Sequence, residues 1–99
     1  MRTVRLLGGV ERLAPRVGGV TLFELTDRTM SFILGQAQRQ SMQELFAVCA
    51  SGDASTRRVL ERHGFEVRNP APQRKSIARW AKGMRKRHGR AVIFWARWA

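Results

Sequence analysis

The segment that most constrains the fold is the apolar run at residues 91–98, with the sequence AVIFWARW. Its apolar side chains occupy both alternations of an extended chain, which is typical of a strand that is covered on both faces. This segment therefore predicts a central strand. Since helical patterns precede it, we expect the α+β class.

Short strands are expected near the start of the chain, at residues 2–7 and 20–26, where β-branched and aromatic residues adjoin glycine pairs. The glycine pairs at 8–9 and 18–19 and the intervening Pro15 are typical of turns, and they predict a hairpin or a small meander. A phosphate-binding glycine loop is excluded because no Gly-Lys-Ser/Thr sequence follows either pair.

A helical pattern covers about residues 31–49. Its apolar positions at helical spacing are Leu34, Ala37, Leu45 and Val48. Ser41 and Glu44 have the spacing of a capping box, so this segment predicts either one long helix or two short ones.

Further elements are predicted downstream. Asp53 or Ser55 can cap a helix that ends at His63 before Gly64, and a short strand at 65–67 leads into a loop at 69–72. A second amphipathic helix starts at Ser76. Its apolar face consists of Ile77, Trp80, Ala81 and Met84, and most of its cations lie away from that face.

Charge is distributed unevenly along the 99 residues, which we expect to form a single domain. The chain has 19 Lys and Arg residues against 7 Asp and Glu, a formal net charge of +12. Residues 1–56 hold six basic and five acidic side chains, whereas residues 57–99 hold thirteen basic and two acidic ones. This asymmetry predicts a nearly neutral first part followed by a binding face for a polyanion, with nucleic acid as the leading candidate.

Residues 41–67 resemble the helix-turn-helix and winged-helix DNA-binding regulators. The resemblance rests on Glu44-Leu45, a four-residue turn, Ser55-Thr56, Arg58 and Leu60. It implies a recognition helix that carries Arg57, Arg58 and Arg62, with residues 65–67 and the terminal strand forming a wing. On this interpretation the chain is a small transcriptional or mobile-element regulator.

Eleven of the thirteen cations after position 56 are predicted to bind nucleic acid. They are Arg57, Arg58, Arg62, Arg74, Lys75, Arg79, Lys82, Arg85, Lys86, Arg87 and Arg90. Duplex DNA is favoured over RNA as the partner, and an acidic protein surface remains an alternative. A homodimer is a further expectation, because residues 91–98 could form its interface or complete an internal sheet. We expect no membrane span and a cytoplasmic location.

Residues 53–65, DASTRRVLERHGF, also resemble the late helix of the acetyl-CoA-dependent N-acetyltransferase superfamily, with Asp53 in the position of the usual Asn. The resemblance implies a degenerate or truncated acetyltransferase-like fold. The family's pyrophosphate loop, Arg/Gln-x-x-Gly-x-Gly/Ala, has no counterpart, since residues 26–38 contain Arg28 but no paired glycines. Catalysis is therefore not expected from it.

A third hypothesis is a small basic toxin that cleaves RNA, or a related RNA-binding protein, with His63 and His88 as proton carriers. Each histidine precedes a glycine at a predicted helix end, where helix capping explains it better, and neither has an acidic residue at suggestive spacing. Cys49 lies in an apolar run and is expected to be a buried, inert thiol. No catalytic residue, cofactor or metal ligand is predicted.

Overall fold

A computed structural model describes residues 9–22, 24–89 and 91–98. The strand expected at residues 2–7 and the predicted site residue Arg90 lie outside these ranges. The elements in chain order are β1 (Val10–Ala14), β2 (Val17–Val20), α1 (Asp27–Arg39), β3 (Glu44–Ala50), α2 (Ala54–Arg62), β4 (Glu66–Val67), α3 (Lys75–His88) and β5 (Val92–Trp98). The expected α+β class is confirmed.

The strands form one sheet in the order β1-β2-β3-β5-β4. β1 and β2 form an antiparallel hairpin around Pro15 and Arg16, so the turn expected at Pro15 is present, but the strands of this hairpin are not the predicted ones. β2 and β3 are parallel and are joined through α1. β5 lies antiparallel to both β3 and β4. The terminal segment is thus a central strand, as predicted, and it completes the sheet of its own chain.

Helices cover both faces of the sheet. On one face, Leu45, Ala47 and Cys49 of β3 pack with Trp95 of β5 against α1 and α2. The opposite face is covered by α3. The buried side chains there include Phe46, Val48, Ile77, Trp80, Ala81, Met84, Phe94 and Ala96. Because successive strand residues point to opposite faces, the apolar runs in β3 and β5 supply both layers of the core.

The glycine pair at 18–19 lies inside β2 and is buried, so the expectation that it marks a turn is wrong. A Cβ atom added to Gly19 would lie 2.8 Å from Cε2 of Trp80, and one added to Gly18 would overlap Met42. Glycine is needed because side chains on both faces approach the backbone closely. The strand expected at 20–26 is also wrong, since Thr26 caps α1 by accepting a hydrogen bond from the Thr29 N–H at 3.2 Å.

The segment expected to be the first helix of a helix-turn-helix unit is strand β3. α1 ends at Arg39, and Ser41 has a φ of 57°, so Ser41 is part of a turn and does not cap a helix. Periodicity alone does not distinguish a short apolar run in a buried strand from one in a buried helix. Here the seven residues of β3 pair with β5 over their whole length. Because β3 separates α1 from α2, the helix-turn-helix element is absent from the described part of the chain.

The downstream predictions agree better with the structure. Asp53 caps α2, since its Oδ1 accepts a hydrogen bond from the Thr56 N–H at 3.0 Å, and Gly64 follows the helix with a φ of 85°. β4 corresponds to the strand expected at 65–67, and α3 begins at Lys75, one residue before the expected start. None of the helices in the described ranges is long and apolar enough to cross a membrane.

The close contact at Gly19 predicts the effect of adding one methyl group. Gly19→Ala should lower the free energy of unfolding by about 1–3 kcal/mol, because the added Cβ would lie within 2.9 Å of both the Trp80 indole and Leu13, which must then shift. The control is Gly52→Ala, whose added Cβ meets no atom within 4 Å. Urea denaturation of both variants measures the difference, and equal stability of the two would contradict this account of β2.

Candidate functional site

Helix α3 combines an apolar face with an exposed row of cations, and it contains no acidic residue. Its buried residues, Ile77, Trp80, Ala81 and Met84, anchor it to the sheet. At 100° per residue, four exposed cations fall on the opposite side of the helix. We call this row the cationic stripe: Lys75, Arg79, Lys82 and Lys86. It extends for about 16 Å along the helix axis, at a rise of 1.5 Å per residue.

The carboxylates of the described residues do not pair with this stripe. Ion pairs join Asp27 to Arg62 and His63, and Glu44 to Arg68 and Arg74. None of them includes a residue of the stripe. Its four cations are therefore exposed to solvent without a carboxylate partner in this part of the chain.

Arg85 and Arg87 flank the stripe and are also exposed. The guanidinium carbon of Arg85 lies 4.8 Å from the ring centroid of Phe94, a cation–π geometry that orders the side chain while leaving its charge exposed. Six of the eleven predicted binding residues are thus assembled on α3.

The predicted cations of α2 lie on the other side of the sheet. Arg57, Arg58 and Arg62 belong to a helix that packs on the Trp95 face, opposite α3. Arg57 donates to the Ser51 carbonyl at 3.1 Å, and Arg62 binds Asp27 at 2.7 Å. The structure therefore divides the predicted set between two faces, and a single surface that includes both helices is not formed.

Arg74 has a structural contact that the sequence analysis did not foresee. Glu44 is buried at 3% exposure, and its two carboxylate oxygens accept hydrogen bonds from Arg68 at 3.1 Å and Arg74 at 2.9 Å. Arg74 occupies the N-cap position of α3. The pair therefore ties the start of α3 to β3 and positions the cationic stripe relative to the sheet.

His63 has an acidic partner, although no acidic residue stands at suggestive spacing in the sequence. Its Nε2 lies 3.1 Å from Oδ1 of Asp27, a residue 36 positions earlier in the chain. The hydrogen bond from Arg62, supported by that from His63, holds the pKa of the Asp27 carboxyl below its usual value. This cluster connects the start of α1 to the end of α2.

Cys49 is fully buried, in agreement with its predicted character. Its Sγ accepts a hydrogen bond from the indole N–H of Trp95 at 3.2 Å. Burial raises the pKa of the Cys49 thiol above its ordinary value, so the thiolate that a nucleophile requires is disfavoured.

The acetyltransferase resemblance implies acetyl-CoA, and the described residues do not fit its pyrophosphate. Although Asp53 and Thr56 start α2 as the resemblance describes, the N-terminus of α1 is already capped by Thr26 and Thr29. Asp27 adds a carboxylate in the first turn of α1, where an anion would be repelled. We therefore derive no chemistry through that cofactor.

A cleft of about 360 Å³ lies between β1 and α3, beside the cationic stripe. Its charged and small lining residues include Glu11, Arg12, Ser76, Arg79, Gly83 and Arg87. Arg79 and Arg87 can be identified from the sequence by their charge. The other four cannot, because only the fold brings β1 next to α3.

Comparison of the chain with protein-family models, with curated proteins and with solved structures finds no match in any of the three. No relative therefore supplies a function. The functional proposal rests on the charges and the geometry of the described residues.

The Glu44 contacts predict a loss of stability when their charge is removed. Glu44→Gln should lower the free energy of unfolding by about 2 kcal/mol, because the buried site loses its charge-assisted hydrogen bonds to two half-exposed arginines. Glu61→Gln makes the same charge change on an exposed position of α2 and should stay within about 0.5 kcal/mol of the parent. Thermal unfolding of both variants tests this, and matching losses would contradict an anchoring role for Glu44.

The environment of Cys49 predicts a thiol that reacts only when the protein unfolds. The native chain at pH 8 should resist a disulfide reagent, whereas the chain in concentrated urea should react with one equivalent, because burial suppresses both access and ionisation. Absorbance of the released thiol measures the rate. Stoichiometric labelling of the native protein within minutes would contradict the packing described here.

Proposed function

We propose that this protein binds nucleic acid through the phosphate backbone, with the cationic stripe of α3 as the principal contact surface. The observation that carries the proposal is the row of four exposed cations without carboxylate partners among the described residues, on a helix whose opposite face is fixed in the core. Phosphate groups are the most abundant polyanionic partner for such a surface.

The dimensions of the stripe support a backbone contact. Neighbouring cations at i, i+3 and i+4 are about 5–6 Å apart at the level of their Cβ atoms. One strand of B-DNA presents a phosphate every 3.4 Å along the helix axis, so the 16 Å stripe spans the axial rise of roughly five phosphates, and it can contact those that lie on the near side of the duplex. Release of counterions from these phosphates provides a favourable free energy that does not depend on sequence.

The proposal differs from the sequence-based hypothesis in its mode of recognition. That hypothesis relied on a recognition helix in a helix-turn-helix element, and α2 is not part of one. Its arginines lie across the sheet from α3, and two of them are engaged within the chain. The fold therefore does not support a transcriptional or mobile-element regulator of helix-turn-helix type. The exposed cations of α3 still support binding through phosphate contacts.

The stripe predicts a specific change in salt dependence. Lys82→Ala and Lys86→Ala should each weaken binding to a mixed-sequence oligonucleotide, and each should reduce the slope of log K against log salt concentration by about 1. The control is Arg58→Ala, which removes one exposed charge on the opposite face of the sheet. Fluorescence anisotropy titrations between 50 and 300 mM salt provide the measurement, over a range in which counterion release dominates.

Two results would contradict the proposal. An equal change of slope in all three variants would mean that net charge, and not the stripe, governs binding. Binding of polyglutamate as tight as that of the oligonucleotide at the same salt would favour an acidic protein as the partner.

A further inference from the structure

The cleft between β1 and α3 is a concave site with a surplus of positive charge. Arg79 and Arg87 line it from α3 and Glu11 lines it from β1, so two cations stand against one carboxylate. Its volume of about 360 Å³ falls within the range of small-molecule sites. An anionic group of the size of one nucleotide is therefore matched in both charge and scale.

The walls of the cleft are held in place. Arg12 donates to the carbonyl oxygens of Pro15 and Gln40, the latter at 3.0 Å, so it fixes β1 to the end of α1 on the opposite face of the sheet. On α3, Gly83 leaves space between Arg79 and Arg87, and the small Ser76 precedes Arg79 on the same flank. The bulkier side chains on either side of these small residues define a recess and not a flat surface.

Trp80 also lines the cleft, and it has an unmet hydrogen-bonding capacity. The residue is 8% exposed, its ring packs edge-on to Phe94, and its buried indole nitrogen has no acceptor within the described residues. A buried donor without an acceptor costs about 1–3 kcal/mol in general. That nitrogen faces β2, since a Cβ atom added to Gly19 would lie 2.9 Å from it, so Trp80 closes the cleft on the side of the sheet.

The cleft is continuous with the cationic stripe, since Arg79 belongs to both. The α3 residues that line the cleft, such as 76, 79, 83 and 87, follow each other at helical spacing along one flank of the helix. A strand whose phosphates follow the stripe therefore passes beside the opening. In a duplex the bases are paired and stacked inside, whereas an unpaired base is free to turn into a recess.

Resting on the proposed function, we propose that this cleft accepts one unpaired nucleotide, so that the ligand of the α3 surface is single-stranded nucleic acid. Arg79 and Arg87 bind the phosphate of that nucleotide, and its base turns into the recess beside Gly83. Glu11 accepts a hydrogen bond from a base amino or imino group.

The test compares three dye-labelled ligands with the full chain at one salt concentration: a 12-nucleotide DNA strand, the RNA strand of the same sequence, and the 12-base-pair DNA duplex. At least one of the two single strands should bind about tenfold more tightly than the duplex, the equivalent of one base contact of 1.4 kcal/mol. The comparison of the DNA strand with the RNA strand shows which of the two nucleic acids the cleft binds more tightly.

A variant that fills the cleft without changing the charge tests the site directly. The space around Gly83 is open, so Gly83→Leu adds a side chain there and uses a good helix former. It should weaken single-strand binding at least fivefold and leave duplex binding and the salt slope unchanged. Gly35→Leu makes the same substitution on α1, across the sheet, and should leave all three affinities unchanged. If Gly83→Leu fails to fold, Arg87→Ala replaces it and should weaken single-strand binding more than duplex binding.

Failure of this inference is separable from failure of the proposed function. Equal binding of the strands and the duplex would overturn the nucleotide site, and so would a folded Gly83→Leu variant with full single-strand affinity. The phosphate contact would still stand if Lys86→Ala reduced the slope of log K against log salt concentration. Absence of salt-dependent binding to any of the three ligands would overturn both.

Discussion

Burial of β5 on both faces is the constraint on which the rest of the structure depends. Phe94 and Ala96 point to one side of the sheet and Trp95 to the other, and all three are at most 2% exposed. A strand of this kind requires a helical layer on each face. Since α1 and α2 cover the first face, α3 must cover the second. The polar and charged side chains of α3 are then exposed to solvent.

The energies explain why such a cationic helix is stable without a partner. Burying each large side chain of α3, such as Ile77, Trp80 and Met84, contributes about 1.5–3 kcal/mol. Repulsion between like charges at i, i+4 costs only about 0.2–0.5 kcal/mol per pair at the surface. Packing therefore dominates, and the Glu44 contacts to Arg68 and Arg74 secure the helix start. Asp27, Glu44 and Asp53 bond to other parts of the scaffold, and none of the ion pairs among the described residues includes the cationic stripe.

The elements that could be predicted from the sequence are those with local signals. The capped helix after Asp53, the amphipathic helix at 75–88 and the apolar strand at 91–98 each carry their own signature of caps or periodicity. The helical spacing of Leu34, Ala37, Leu45 and Val48 predicts a helix that continues to Cys49, whereas pairing with β5 makes residues 44–50 a strand. The Gly18–Gly19 pair was misassigned for a related reason: the neighbours that require it are Met42 and Trp80, both distant in sequence.

The candidate site was predictable in part, for the same physical reason. The charge surplus after residue 56 identified the cations, while their division between two faces depends on which side of the sheet each helix covers. The cleft and the Asp27–His63 contact join residues that are far apart in the chain, so no local sequence pattern predicts them.

The most direct measurement of the central claim is an amide chemical-shift titration of the isotopically labelled protein with a short oligonucleotide. If the α3 surface is the binding site, the amides of residues 75–88 shift progressively, and those of α2 at 54–62 remain in place. Shifts concentrated on α2, or spread evenly over both faces of the sheet, would contradict the account.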